Sequence, residues 1–545
     1  MIDKSPQLLL QTKAEFISYQ QTGYFTKIVA DYLSANNSIQ SFYQHPFTLD
    51  GIKAAIFERN KFNTNRKLLV DALEQQYADI NTSEKVKQNI KALLSEKTYT
   101  ICTAHQPNIF TGHLYFIYKI IHTIKLAEKL TNELPDNIFV PVFYMGSEDA
   151  DIEELGEVTI NGEKYEWQTK QTGAVGRMIV DEALLKILKK IKGELLVEPF
   201  GEEIINLLEN CYTKGTTIQD ACFALINNLF AKFGLVVLLP DNAILKKEML
   251  AVFEDDIFNN TPYKTVTKTA EKFSEHYKVQ AQPREINLFY LRDNIRNRII
   301  AEKKVYKVND TGIQFTPEEL KKELNEYPER FSPNVILRAI YQETILPNII
   351  FVGGGGELAY WLELKDLFHQ NNVPYPVLIL RNSFLLIDKK INALINKLSF
   401  SYIDIFKNET ELVNDIVSKN SGHKLSLEKE KDQLAKLYQN IKIPVKEVDE
   451  TLLKHVESLL AKALHRLQLL EKKLLKAEKK KFEVEQQQVK KIRSVLFPKN
   501  QLQERVENFM PFYAKHGKEF IHILYENSLH IEQEFCILAE EDKLS

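Results

Sequence analysis

The stretch Thr98-Tyr-Thr-Ile-Cys-Thr-Ala-His-Gln-Pro-Asn-Ile-Phe-Thr-Gly-His-Leu-Tyr-Phe-Ile-Tyr-Lys119 decides the fold. Its first six residues are β-prone, and from Ile117 apolar residues recur at Ile120, Ile121, Ile124, Ala127 and Leu130, the spacing of a helix face. A strand, a polar turn and a helix therefore follow one another. The turn gathers His105, Gln106, Asn108, Thr111 and His113, and Gly112 allows close backbone approach where the helix begins. A helix start presents unpaired N–H groups and the positive end of its dipole, so a phosphate is the expected ligand. Taken alone, the stretch reads equally well as a βα turn with ordinary surface polar residues.

Four more strands end in turns of the same kind. Asn137-Ile-Phe-Val-Pro-Val-Phe-Tyr144 is a buried-strand pattern followed by Glu148, Asp149 and Asp151, and Gly234-Leu-Val-Val-Leu-Leu-Pro-Asp241 ends in a carboxylate. Asn348-Ile-Ile-Phe-Val352 runs into Gly353, Gly354, Gly355 and Gly356, and Tyr375-Pro-Val-Leu-Ile-Leu380 ends in Arg381, Asn382 and Ser383. Strands separated by helices predict a largely parallel sheet, with ligands in the crevice outside the carboxyl ends. All five turns would then face one cleft.

The cleft's inventory is two-sided. His105, Gln106, Asn108, Thr111, His113, the glycine run and Arg381 favour an anion such as a nucleotide phosphate, whereas Glu148, Asp149, Asp151 and Asp241 favour an amine or a metal. Carboxylates without histidine at metal spacing would hold Mg2+ only loosely, through waters. Glu153 and Glu154 read as first-turn acids that complement a helix dipole. The four glycines are either a phosphate-cradling nest or a tight turn against the neighbouring strand, and they form neither GxGxxG nor a P-loop.

A chain of 545 residues with 44% hydrophobic content exceeds one core, so two or more units are expected. A net charge of −3 gives no reason to expect nucleic acid or an anionic membrane as main partner. No apolar run reaches membrane-span length and the start lacks a signal-peptide plan, so a cytoplasmic location is expected. The cysteines Cys102, Cys211, Cys222 and Cys536 form no CxxC pair, and Cys102 reads as a buried structural thiol. Residues 1–95 read as mainly helical, with Gln20-Gln-Thr-Gly-Tyr-Phe25 a loop folding back onto the core. The core is expected over 1–387, with insertions near 157–230, opened by the Asn161-Gly162 hairpin signal, and near 262–330. From about Asp388 the chain turns helical and charged, and Leu452, Val456, Leu459, Ala463, Leu467, Leu470 and Leu474 fall near helical spacing. Residues 388–498 thus read as an antiparallel helical hairpin or a coiled coil that also pairs with a second molecule, with Pro444 separating two helices. A helical tail over 499–545 returns to the core.

Four motifs in order, Thr103 to Lys119, Tyr144-Met-Gly-Ser-Glu-Asp-Ala-Asp151, Phe331-Ser-Pro-Asn-Val-Ile-Leu-Arg338 and Gly353-Gly-Gly-Gly-Glu-Leu-Ala-Tyr-Trp361, resemble the bacillithiol biosynthesis cysteine-adding family, BshC, of cysteine ligases. The resemblance covers nearly the whole chain. It implies a Rossmann-like α/β core with connecting-peptide insertions, a C-terminal coiled-coil domain that makes a homodimer, and the addition of cysteine to glucosaminyl-malate in the last step of bacillithiol formation. The chain departs from the family pattern at Ala150, where many members carry histidine, and at His113, where relatives often have proline. Joining a carboxylate to an amine in water requires activation, so ATP and a cysteinyl-adenylate are implied, with Mg2+ as an accompanying ion. On this reading His105, Gln106, Asn108 and Arg381 are catalytic and stabilise charge on the phosphate. Glu148, Asp149, Asp151, Asn334 and Arg338 hold substrate, Asp149 and Asp151 gripping the cysteine ammonium. Thr111, Gly112, His113, Gly353, Gly354, Gly355, Gly356 and Ser383 hold the nucleotide, Phe110-Thr-Gly-His113 looking like a degraded HIGH signature. Two other functions stay open: a nucleotidyltransferase acting on another small carboxylate or sugar, and a non-enzymatic dimeric coiled-coil scaffold.

Overall fold

The computed structural model describes residues 12–303, 305–423 and 425–541. The chain divides into a first unit that runs to Leu385 and resumes over Gln501–Leu538, and a second that comprises Leu386–Asn500 and the residues from Ala539.

At the centre of the first unit is a five-stranded sheet of β1 (Thr98–His105), β2 (Ile138–Met145), β3 (Val236–Leu238), β4 (Asn348–Gly353) and β5 (Val377–Leu380). Its spatial order is β5-β4-β1-β2-β3, and every pairing is parallel. The chain moves outward from β1 to β3, then returns to β1's other side for β4 and β5. That reversal puts a topological switch point between β1 and β4, where such sheets bind ligands. Both faces are covered, so the strands read as apolar runs rather than alternating ones. Tyr99, Ile101, Phe139, Ile350, Val352, Val377 and Ile379 form a core with Leu126, Ala127 and Leu130 of α1 (Tyr115–Glu133). The polar exceptions pair across the switch point: Thr100 Oγ1 donates to Asn348 Oδ1 at 3.1 Å and Thr103 Oγ1 to the Val352 carbonyl at 2.7 Å.

The first insertion opens with the expected hairpin, Glu157–Ile160 against Glu163–Glu166, and both Asn161 and Gly162 have positive φ. The second contributes four strands of an antiparallel sheet that ends on Phe331–Pro333. That last strand leads into α2 (Val335–Ile345), and β4 leads into α3 (Gly355–Leu362).

The second unit is helical. Bonds of Lys442 to Glu457, Lys431 to Glu471 and Ser421 to Glu478 join residues whose numbers rise on one side as they fall on the other, which makes Glu428–Val448 and Leu453–Lys479 antiparallel neighbours. Contrary to the sequence reading, Pro444 lies inside the first of these helices, which ends one turn later at Val448. The second helix likewise stops at Lys479, and Glu483–Leu496 continues after a tight turn. The tail is not helical throughout: Met510–His516 and Lys518–Glu526 precede a strand, Glu534–Glu540, whose Phe-Cys-Ile-Leu-Ala run is β-prone. Among the described residues no helix is long and apolar enough to cross a membrane.

Candidate active site

The carboxyl ends of the five strands open on one cavity of about 370 Å3. β1 supplies Ala104, His105 and Gln106; β2 and its turn supply Tyr144, Gly146, Glu148 and Asp149; Pro240, Gly354 to Glu357 and Arg381 follow β3, β4 and β5. Asn334 and Arg338 enter from α2, Arg296 from the second insertion and Arg505 from the tail.

His105 sits between two partners, Nδ1 3.1 Å from the Gln106 carbonyl and Nε2 3.3 Å from the Tyr115 hydroxyl. A carbonyl only accepts, so Nδ1 carries the proton and Nε2 the lone pair. Burial, reinforced by the charge of Lys119, pushes the imidazole down to about 3, so the ring is neutral. Next to it, Gln106 Nε2 donates to Asp149 Oδ2 at 3.0 Å, and Asp149 Oδ1 accepts the Ala150 N–H at 2.7 Å.

A buried strut spans the switch point. Lys119 Nζ donates to the Ala104 carbonyl at 2.7 Å and lies 2.5 Å from Glu357 Oε2, which also accepts the Gly354 N–H at 2.8 Å. Burial would raise the Glu357 carboxyl, but the Lys119 charge and hydrogen bonds outweigh it and hold the group below its ordinary value. The glycines divide by purpose, and none of the four has a positive φ. A Cβ on Gly353 would stand 2.7 Å from Phe351 Cε1 and one on Gly355 3.0 Å from Val29 Cγ2, so these two serve packing. One on Gly354 would make ordinary contacts and one on Gly356 would meet nothing within 4 Å, which leaves bare backbone facing the cavity.

The acids are largely engaged. Glu148 pairs with buried Lys246, which also lies 3.8 Å from Asp241, and Asp241 receives Arg177 through two bonds of 2.7 and 2.8 Å. Burial pushes the Glu148 carboxyl up despite that partner. Asp151 lies outside the cavity lining and caps Ile152–Leu155, its Oδ1 accepting the Glu154 N–H at 3.2 Å. Among the described residues no group of three or more His, Cys, Asp or Glu is placed to hold a metal.

Arg381 differs most from its expected role. Nη1 and Nη2 bond both carboxylate oxygens of buried Glu504 at 3.0 and 2.7 Å, so its charge is neutralised by a tail residue. Ser383, expected at a phosphate, instead accepts Arg381 Nη1 at 2.9 Å and donates to Glu504 at 3.3 Å. Only the Arg381 Nε–H is left without a partner, facing Gly354. Thr111, Gly112 and His113 lie outside the cavity lining. Phe110, Thr111 and Gly112 form a left-handed run with φ of 51, 72 and 66°. It is held by Tyr212, which accepts the Phe110 N–H at 2.9 Å, and by Asn508, whose Nδ2 donates to the Phe110 and Gly112 carbonyls. The Glu507 carbonyl takes the Leu114 N–H at 2.8 Å, so the tail covers the helix start where a phosphate was expected. Asn108 is buried beneath this run: a Cβ on Gly112 would stand 2.9 Å from its Cβ.

Asn334 caps α2 by accepting the Ile336 and Leu337 N–H groups and donates to Asn287 Oδ1 at 2.9 Å. Arg338, one turn on, bonds the Tyr360 hydroxyl and lies 5.9 Å from the Tyr144 ring centroid. It has no carboxylate ion pair among the described residues, which leaves a cation facing the cavity. Sequence reasoning had assigned no role to Lys119, Glu357, Tyr115 or Tyr360, although all four stand in the quoted motifs; Arg296, Glu504 and Arg505 carry no local signal at all.

The chain matches the family model described as Bacillithiol biosynthesis BshC, N-terminal Rossmann-like domain, over residues 12–382, and that described as Bacillithiol biosynthesis BshC, C-terminal coiled-coil domain, over residues 384–540. A Flavobacterium johnsoniae protein named "Putative cysteine ligase BshC" is 40% identical over 96% of this chain and 99% of its own length. Proteins of the same name from Christiangramia forsetii and Flavobacterium psychrophilum are 39% and 38% identical over 96% of this chain and 98% of theirs.

Proposed function

Because the chain belongs to the bacillithiol biosynthesis BshC family, carrying both of its domains in order, we propose that it is a cysteine ligase that joins the carboxyl of L-cysteine to the amine of glucosaminyl-malate. The name of its relatives favours this over the nucleotidyltransferase and scaffold readings. The observation that carries the chemistry is the presence, in one cavity, of Arg338, a guanidinium with no carboxylate ion pair among the described residues, and the carboxylate of Asp149. Arg338 receives the cysteine carboxylate, and Asp149, oriented by Gln106, holds the acceptor's amine and takes the proton it releases as the C–N bond forms and the activated acyl C–O bond breaks. An imidazole held near 3 is a poor proton acceptor, so His105 acts by fixing the Tyr115 hydroxyl at the cavity wall.

ATP, when bound, would supply the activation that makes the cysteine carboxyl electrophilic. The Arg381 Nε–H and the bare backbone at Gly354 fit a phosphate oxygen. The test is mass spectrometry of reactions containing the protein, cysteine, glucosaminyl-malate and ATP, each omitted in turn. Ligation predicts the condensed mass only in the complete mixture. A product formed from ATP and one substrate alone would assign a nucleotidyltransferase instead.

A further inference from the structure

A second cavity, of about 480 Å3, lies across the glycine corner from the first, and the two share Gly355, Gly356 and Arg505. Its walls come from Tyr24 to Val29, from His276, Tyr277 and Lys278, and from α3. The two cavities differ in charge. Glu148, Asp149, Glu154 and Glu357 line the first beside its arginines, whereas the second is lined by Lys27, Lys278 and Arg505 and by no carboxylate. Lys27 is answered by Asp31 at 2.5 Å and lies 4.7 Å from the Tyr277 ring centroid, but Lys278 and Arg505 have no carboxylate ion pair among the described residues. At the shared corner neither packing nor conformation calls for glycine at 356, since a Cβ there meets nothing within 4 Å and φ is not positive. Gly356 lines both cavities, so a side chain there would project between them.

Resting on the ligase reading above, we propose that the second cavity is the subsite for the dicarboxylate end of the amine acceptor. The acceptor lies across Gly356, its sugar amine in the first cavity beside Asp149 and its malyl carboxylates in the second against Lys278, Lys27 and Arg505. Two carboxylates are costly to remove from water unless cations replace it, while an ammonium needs the reverse. The cations of the second cavity suit the acidic end of such a ligand, and Asp149 in the first suits its basic end.

Calorimetric titration of the full chain with glucosaminyl-malate and with methyl glucosaminide, which keeps the amine and lacks the dicarboxylate, tests this directly. The wild-type protein should prefer glucosaminyl-malate by at least about tenfold. Lys27→Gln with Lys278→Gln should remove most of that preference and leave methyl glucosaminide binding unchanged. Gly356→Leu, whose Cβ meets nothing within 4 Å, should keep the thermal unfolding midpoint and weaken glucosaminyl-malate by a similar factor. Full preference retained in the lysine double variant overturns the proposal. So does a loss of ATP affinity with glucosaminyl-malate affinity intact, which would give the cavity to nucleotide phosphates. A wild-type protein that binds neither sugar amine overturns the ligase reading itself, and this subsite with it, a result distinct from the other two.

Discussion

Arg381 shows why residue identity alone misleads at this site. An arginine at the end of a core strand reads as a phosphate ligand, yet its charge is matched by Glu504, 123 positions away in sequence. Glu504→Gln should therefore lower the unfolding free energy by about 3–5 kcal/mol, because it leaves a buried guanidinium unpaired. In urea denaturation, Arg381→Gln with Glu504→Gln should cost less than the two single changes summed; simple additivity would mean the pair is uncoupled. Arg338, by contrast, lines the cavity with no carboxylate ion pair among the described residues, and Arg338→Gln should reduce kcat/KM for cysteine by about 10- to 100-fold. His105 makes a pH prediction. Its folded value of about 3 lies below the ordinary 6.5, so between those values the unfolded chain binds more protons. The stability this contributes is complete above about pH 6.5 and is lost as pH falls toward 3. The stability advantage of wild type over His105→Gln should accordingly shrink by about 2 kcal/mol from pH 7 to pH 5. An unchanged difference would show that the ring titrates normally.

At the scale of elements, the strands and their order of function were readable because apolar runs of β-branched and aromatic residues leave little ambiguity when both faces of a sheet are buried. The turns were readable only in part. Gly112 reads in sequence as allowing close backbone approach, but nothing local reveals that Phe110 and Thr111 join it in positive φ, since that depends on Tyr212 and Asn508. Asn508→Ala removes the bonds to the Phe110 and Gly112 carbonyls and should destabilise the protein by about 1–3 kcal/mol and lower kcat. An Asn508→Ala protein with wild-type stability would mean the left-handed run holds itself. The extension of the Pro444 helix to Val448 has a similar lesson: proline removes one ladder bond, and the ladder resumes beyond it, the Asp449 N–H bonding the Val445 carbonyl at 2.9 Å.

At the scale of the molecule, the tail is the part least legible in sequence and most important to the site. Residues Glu504, Arg505, Glu507 and Asn508 sit in no recognisable pattern, yet they neutralise Arg381, line the cavity and cover the start of α1. The second unit leaves Leu437, Ile441, Leu459, Leu470 and Leu474 exposed on its paired helices, and the homodimer expected from the family resemblance would bury them. Leu459→Lys with Leu470→Lys should then halve the sedimentation mass; a wild-type chain already monomeric at micromolar concentration would contradict that expectation. Ligation here requires one cleft at the carboxyl ends of five parallel strands to receive both partners. A crystal structure of the protein soaked with glucosaminyl-malate examines this most directly. The sugar amine should lie beside Asp149 and Gln106, at the end of β1 and β2; acceptor density bound away from those strand ends, with the His105 cavity empty, would contradict this.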